Sequence, residues 1–173
     1  MHGATQFIDP QSVMLLKLLV AMVLGAIVGT ERSVIAKQPA GTRTFGLVSL
    51  GACLFVIVGS YVDTNYIGVV NFEPMQVAAA IITGIGFIGG GLIIFHRDSL
   101  HGVTTAAGLW IAAALGIATG FGLYAVAAFT TVLALIMFTG MWYVEQRFKH
   151  WFESREIHAN HQSDILPGNE PVL

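Results

Sequence analysis

Residues 84–107 read GIGFIGGGLIIFHRDSLHGVTTAA, and five glycines fall within the first eight of them. These glycines sit inside an uncharged run of 19 residues, 77–95. Glycine disfavours a helix interior by about 1 kcal/mol relative to alanine, so this density is a poor choice for a helix in water. In a bilayer the same residues let neighbouring helices approach closely. The stretch therefore predicts a transmembrane helix at the crowded centre of a bundle. It is followed by a short polar clasp, His96, Arg97, Asp98 and His101, and then by a second apolar run that opens with Thr104 and Thr105.

The rest of the chain has the same character. Of its 173 residues 55% are hydrophobic and 10% are charged, against about 25% charged in an ordinary soluble domain. Mean hydropathy is +0.74. Five runs, 13–30, 45–62, 77–95, 103–121 and 123–144, have the roughly 17 to 25 residues that a helix needs to cross a membrane. Lys17 is the single charge in all five. The expected fold is an all-α, polytopic helical bundle of five spans, preceded by a terminus over 1–12 and followed by a tail over 145–173. The first run is too long for the apolar part of a secretory signal and lacks its small-residue cleavage pattern, so it reads as a retained helix. Cys53 is the only cysteine, which excludes an intrachain disulfide and a cysteine metal cluster.

Charge sets the expected orientation. The segments 31–44, 96–102 and 145–173 hold Arg32, Lys37, Arg43, Arg97, Arg147, Lys149 and Arg155, while the opposite loops hold no basic residue. Basic residues concentrate on the cytoplasmic side, which predicts an outside N-terminus and a cytoplasmic C-terminus. Lys17, four residues into its run, is expected to snorkel to the outer interface. The turn around Gly120-Phe121-Gly122 leaves almost no loop between spans four and five. The tail after residue 144 should begin as an amphipathic continuation of the last span and then fray.

On the third span, Ile81, Ile85, Ile88 and Leu92 form a stripe roughly 60° wide at 100° per residue. That stripe should face lipid, leaving the broad surface of Gly84, Gly86, Gly89, Gly90 and Gly91 for other helices. Gly86 and Gly90 have the close-packing GxxxG spacing, as do Gly25 with Gly29 and Gly116 with Gly120. Such a run of glycines also permits a broken helix whose backbone lines a cavity or ion path. The letters of GIGFIG match the dinucleotide fingerprint, yet that fingerprint has meaning only between a strand and a helix of a βαβ unit. Neither nucleotide nor nucleic acid is expected as a ligand.

The polar residues that remain gather at one membrane boundary: Glu31, Arg32, Arg43, Arg97, Asp98, Thr104 and Thr105. Carboxylates there should pair with the arginines, because charge near a membrane is costly unless paired or hydrated. Thr104 or Thr105 is a natural N-cap for the fourth span. The cluster is also the candidate for a polar pocket that could hold an ion, a lipid headgroup or a partner's side chain. His96 and His101, five apart, do not share a helix face, so no metal site is expected. A nucleophile–base set, an HExxH motif and a P-loop lysine are all missing, and neither enzymatic activity nor a cofactor is expected.

Four separated motifs carry a resemblance: GTER (29–32), PAGTRTFGLVSLGA (39–52), GIGFIGGGLI (84–93) and HGVTTAAGLWIAAALG (101–116). Together they resemble the MgtC/SapB family of bacterial inner-membrane proteins over residues 13 to 144. The resemblance maps the family's G-x-E-R onto Gly29, Glu31 and Arg32, and its A-G-x-R-T onto Ala40, Gly41, Arg43 and Thr44. It maps G-x-T-T-A-A onto Gly102, Thr104, Thr105, Ala106 and Ala107. His101 stands where the family usually has arginine, and Gly90 replaces a commoner alanine. With only 29 residues after the fifth run, the chain resembles the short members without a cytoplasmic regulatory domain. The resemblance implies a multi-pass protein of the bacterial inner membrane, linked to growth at low magnesium. It also implies a modulator of other membrane proteins, the F-type ATP synthase among them. A homodimer is a reasonable use of the GxxxG faces. The alternative is a Mg²⁺-type transporter or channel. For that, no Asp or Glu lies within the five runs, so only opened backbone around Gly84–Gly91 could supply oxygen ligands at depth.

Overall fold

The computed structural model describes residues 9–38, 40–65, 73–96 and 99–163. Five helices carry the chain: α1 (Pro10–Val34), α2 (Thr42–Asn65), α3 (Pro74–Leu92), α4 (Val103–Gly120) and α5 (Tyr124–Ser163). Each contains a window long and apolar enough to cross a membrane. Between α3 and α4 the chain makes a small antiparallel hairpin, β1 (Ile94–His96) and β2 (Ser99–His101), in which Phe95 pairs with Leu100. The residues joining its strands, Arg97 and Asp98, lie outside the described residues.

Local chemistry accounts for the helix boundaries. Asp9 caps α1 by accepting from the Gln11 amide at 3.3 Å, with Pro10 at the first helical position, where its missing N–H is no loss. α3 also has a proline, Pro74, at its first position, but its N-cap Glu73 makes no side-chain cap hydrogen bond. Gly102 stands before α4 with φ +89°, a left-handed conformation that threonine avoids. For that reason neither Thr104 nor Thr105 is the N-cap: the helix has begun at Val103 before either is reached. At the other end of α4, Gly122 (φ +80°) allows a Schellman turn, in which the Leu123 amide donates to the Ala118 carbonyl and the Gly122 amide to that of Thr119.

The helices extend beyond the apolar runs in two places that matter. α1 continues past Thr30 to Val34, which brings Glu31 and Arg32 into the helix as buried residues. The membrane-length helices therefore do contain a carboxylate. α5 continues past residue 144 to Ser163. Its described part from Ile136 onward forms a unit of its own, separate from the unit that ends at Leu135. The third helix is as long as its apolar run but starts and ends three residues earlier. It ends at Leu92 because Ile93 turns to extended backbone and residues 94–96 enter the hairpin.

Packing within the first unit reverses one expectation. The crowded helix is α4, with 50% of its span buried, and not α3, with 17%. Buried positions on α4 recur as Thr105, Gly108, Leu109, Ala112, Ala113, Leu115, Gly116, Thr119 and Gly120. α1 closes on α2, and α2 on α4, through glycine. A methyl group added at Gly25 would fall 2.6 Å from the Phe45 carbonyl oxygen and 2.6 Å from Ser49 Cβ. One added at Gly29 would fall 2.7 Å from the Gly41 oxygen, and one at Gly120 2.7 Å from Val56 Cβ. At Gly116 it would collide with the Ser49 carbonyl oxygen. Phe45, Val28, Val56, Leu109 and Leu115 fill the remaining space.

α3 packs against α4 by the narrow stripe Ala78, Ile85 and Gly89, which are its buried residues. The isoleucine side expected to face lipid thus supplies a packing residue, Ile85. A methyl at Gly89 would touch Ala106 at an ordinary 3.5 Å, whereas at Gly84, Gly86, Gly90 or Gly91 it would meet nothing within 4 Å among the described residues. Dispersion explains the reversal: the helix settles where contact atoms are most numerous, and an isoleucine offers more of them than a row of hydrogens.

Candidate functional site

The close approach of α1 to α2 builds the polar end of the molecule. Gly29 and Gly41 present backbone to each other, and a methyl at Gly41 would lie 2.5 Å from Ser33 Cβ. The GTER and AGTRT segments are thereby brought side by side, with the Thr30 and Thr42 hydroxyls 3.1 Å apart. Just beyond, Glu31 and Arg32 are each 6% exposed. Arg32 reaches across to α4, where its Nη2 donates to the Thr105 hydroxyl at 3.4 Å. Its Nη1 lies 3.9 Å from the Glu31 carboxylate, a Coulombic contact without a hydrogen bond. Both Glu31 carboxylate oxygens are buried with no hydrogen-bond partner among the described residues. A buried ion pair of this kind is weak evidence for stability, because desolvation offsets most of its Coulomb energy. A carboxylate that lacks donors is instead an available acceptor.

Of the boundary residues singled out from sequence, the structure joins Glu31, Arg32 and Thr105. Thr104, one position earlier on the helix, is exposed. Arg43 is also exposed and makes no hydrogen bond or ion pair among the described residues. It lines one end of a groove between α2 and α3, and the Glu31 carboxylate has Arg32, not Arg43, as its counter-charge. Arg97 and Asp98 lie outside the described residues. His101 hydrogen-bonds Ser99 at 2.9 Å within the hairpin. Among the described residues no group of three His, Cys, Asp or Glu side chains converges on a metal position.

The glycines of α3 do not open the helix. Residues Pro74–Leu92 are continuously helical, so the backbone carbonyls of Gly84–Gly91 remain in the helix ladder. What the glycines do create is a shallow apolar groove of about 580 Å³ along Gly86, Gly89 and Gly90, walled by Ala106, Ala107 and Trp110 of α4. The groove between α2 and α3 is larger, about 870 Å³.

Two polar features escaped the sequence reading. Lys17 Nζ donates to the Gly120 carbonyl at 2.9 Å and so reaches the C-terminal end of α4. A cation there meets the negative end of the helix dipole. The lone lysine in an apolar run was a signal that some acceptor exists, but the acceptor lies 103 residues away in sequence. Ser49 is fully buried where α1, α2 and α4 meet, and its hydroxyl has no partner among the described residues.

Residues 18–147 match the family model described as MgtC family. A protein of Escherichia coli K12 named "Putative magnesium transporter YhiD" is 35% identical over 125 residues, covering 71% of this chain and 58% of the relative. Protein SapB of Bacillus subtilis is 36% identical over 135 residues, 76% of this chain and 56% of the relative. Protein MgtC of Salmonella typhimurium LT2 is 36% identical over 121 residues, 70% of this chain and 49% of the relative. The chain spans about half the length of the curated relatives it matches. No solved structure matches it.

Proposed function

Since this chain belongs to the MgtC family, a family of multi-pass membrane proteins, we propose that it is a non-enzymatic regulator that packs against other membrane complexes. The setting is the bacterial inner membrane during adaptation to low magnesium, with the N-terminus outside and the C-terminus in the cytoplasm. The observation that supports this reading is the open face of α3. Gly86 and Gly90, which share one side of the helix, present bare backbone, and a carbon added at either would meet nothing within 4 Å among the described residues. In a bilayer such a surface is suited to a helix from another chain, either a partner complex such as the F-type ATP synthase or a second copy. Extraction in mild detergent followed by affinity capture is expected to bring down a defined membrane complex. The reading fails if the intact protein is captured alone from magnesium-limited cells and its deletion leaves every membrane complex unaltered.

A second reading, a Mg²⁺-type cation transporter, draws on one specific observation besides the name of the Escherichia coli relative. Glu31 offers two buried carboxylate oxygens without hydrogen-bond donors. Hard divalent cations take oxygen ligands, although Arg32 at 3.9 Å opposes a cation in the same place. Proteoliposomes loaded with a Mg²⁺ indicator decide between the two: the regulator produces no flux, and a transporter produces flux that Glu31→Gln abolishes.

A further inference from the structure

We propose that the groove between α2 and α3 holds one anionic phospholipid, with its phosphate on Arg43 and an acyl chain lying between the two helices. The motif residues divide the work at this point. Gly41 packs against α1 and Thr42 meets Thr30, whereas Arg43 and Thr44 turn the other way and line the groove. Beyond them the walls are apolar, with Leu47 and Phe55 from α2 facing Ile81 and Ile85 from α3. Among the described residues no acidic side chain lines the groove. Its described lining is thus a long hydrophobic slot with one guanidinium at its end, the complement of an anionic amphiphile. Guanidinium groups suit phosphate oxygens, and basic sites between transmembrane helices hold anionic headgroups.

The length of the groove suits a lipid chain. The α2 wall runs from Arg43 to Gly59, roughly 24 Å at 1.5 Å per residue. The slot is longer than the roughly 15 Å of hydrocarbon in one leaflet, so a lipid anchored at Arg43 can lie in it at its natural depth. Burial adds about 0.8 kcal/mol per CH₂ relative to water, but a chain in bulk lipid has already gained that. The selectivity of the site therefore rests on the headgroup contact, and retention rests on the fit of the slot.

The test uses the full chain in mild detergent, exchanged with phosphatidylglycerol or phosphatidylcholine of matched acyl chains and read by native mass spectrometry. A surface arginine is worth about 1 kcal/mol toward an anionic headgroup, so phosphatidylglycerol should be retained about fivefold over phosphatidylcholine. Arg43→Gln should erase that preference and Arg43→Lys should keep most of it. Gly51→Leu combined with Gly84→Leu fills the slot from both walls, at positions where an added carbon meets nothing within 4 Å, and should lower retention of both lipids. Equal retention of the two lipids by the unsubstituted protein would overturn the proposal, as would a preference that survives Arg43→Gln. Displacement of phosphatidylglycerol by inorganic phosphate alone would reassign Arg43 to a free anion. If the double leucine variant sheds a co-purifying protein and leaves lipid retention unchanged, the groove belongs to a helix and the proposal falls.

Discussion

Gly116 and Gly120 on α4 have the same spacing as Gly86 and Gly90 on α3, and their structural uses are opposite. A methyl group at Gly116 would collide with the Ser49 carbonyl, while one at Gly86 or Gly90 would meet nothing within 4 Å among the described residues. The first pair is used up inside the chain, where it lets α2 lie backbone to backbone on α4. The second pair is left over. The spacing thus shows where close approach is permitted and is silent about who approaches. In α1, α2 and α4 the approach is internal. On α3 it is available to something outside the chain.

The comparison breaks most severely if the tight region proves tolerant. Arg32→Met leaves the Glu31 carboxylate buried without its counter-charge, and removing one partner of a buried pair costs about 3–5 kcal/mol. The variant should lose its folded, monodisperse state in detergent at temperatures where the parent survives. Glu31→Gln combined with Arg32→Met should regain most of the loss, since replacing both charges is often nearly neutral. Next in size is Gly116→Leu, which forces α2 off α4. Overpacking of this kind costs about 1–3 kcal/mol and occasionally more, and a thermal melt followed by light scattering should show it. A Gly116→Leu protein that melts like the parent would mean that α2 and α4 are not in contact.

A smaller effect is expected at Lys17. Lys17→Met removes the donor to the Gly120 carbonyl but keeps the aliphatic stem, so the loss should be about 0.3–1 kcal/mol, the worth of a cation at a helix C-terminus. If Lys17→Met were as damaging as Gly116→Leu, the end of α4 would depend on charge and not on its glycine turn. Gly120 and Gly122 would then lose their place in the tight half of the comparison.

How much of this was legible in the sequence depends on what the bilayer hides. Five helices were readable because a long uncharged run has no other stable form in lipid, and the turn at Gly120-Phe121-Gly122 falls where it was expected. The inward face of α3 was not readable. Lipid is as apolar as isoleucine, so hydrophobicity does not tell Ile85 in contact with helices from Ile88 in contact with lipid. The same limit hid the crowding of α4, whose alanines and glycines looked less distinctive than those of α3. At the boundary, Glu31, Arg32 and Thr105 were legible as polar residues that had to be satisfied. Their partners were not, because the Arg32–Thr105 contact joins positions 73 residues apart and the cap before α4 is set by the backbone of Gly102.

The smallest expected change in stability is the one that decides what the open glycines are for. Gly86→Leu and Gly90→Leu add side chains where no described atom stands within 4 Å, so the isolated protein should melt within about 0.5 kcal/mol of the parent, as surface changes do. In the membrane the same side chains would hold a second helix away from the α3 backbone. Contact between helices there depends on small residues, with little hydrophobic drive to compensate. The expected outcome is therefore a split: an unchanged melt, and loss of whatever complex or second copy is captured with the parent. Because the α2–α3 groove is lined by Gly84 and not by Gly86 or Gly90, phosphatidylglycerol retention should be unaffected by these two variants. Loss of stability together with loss of the partner would place the glycine face inside the fold and erase the contrast with α4. An unchanged melt with an undiminished partner would leave the face exposed to lipid alone, and would move the regulatory contact to another helix.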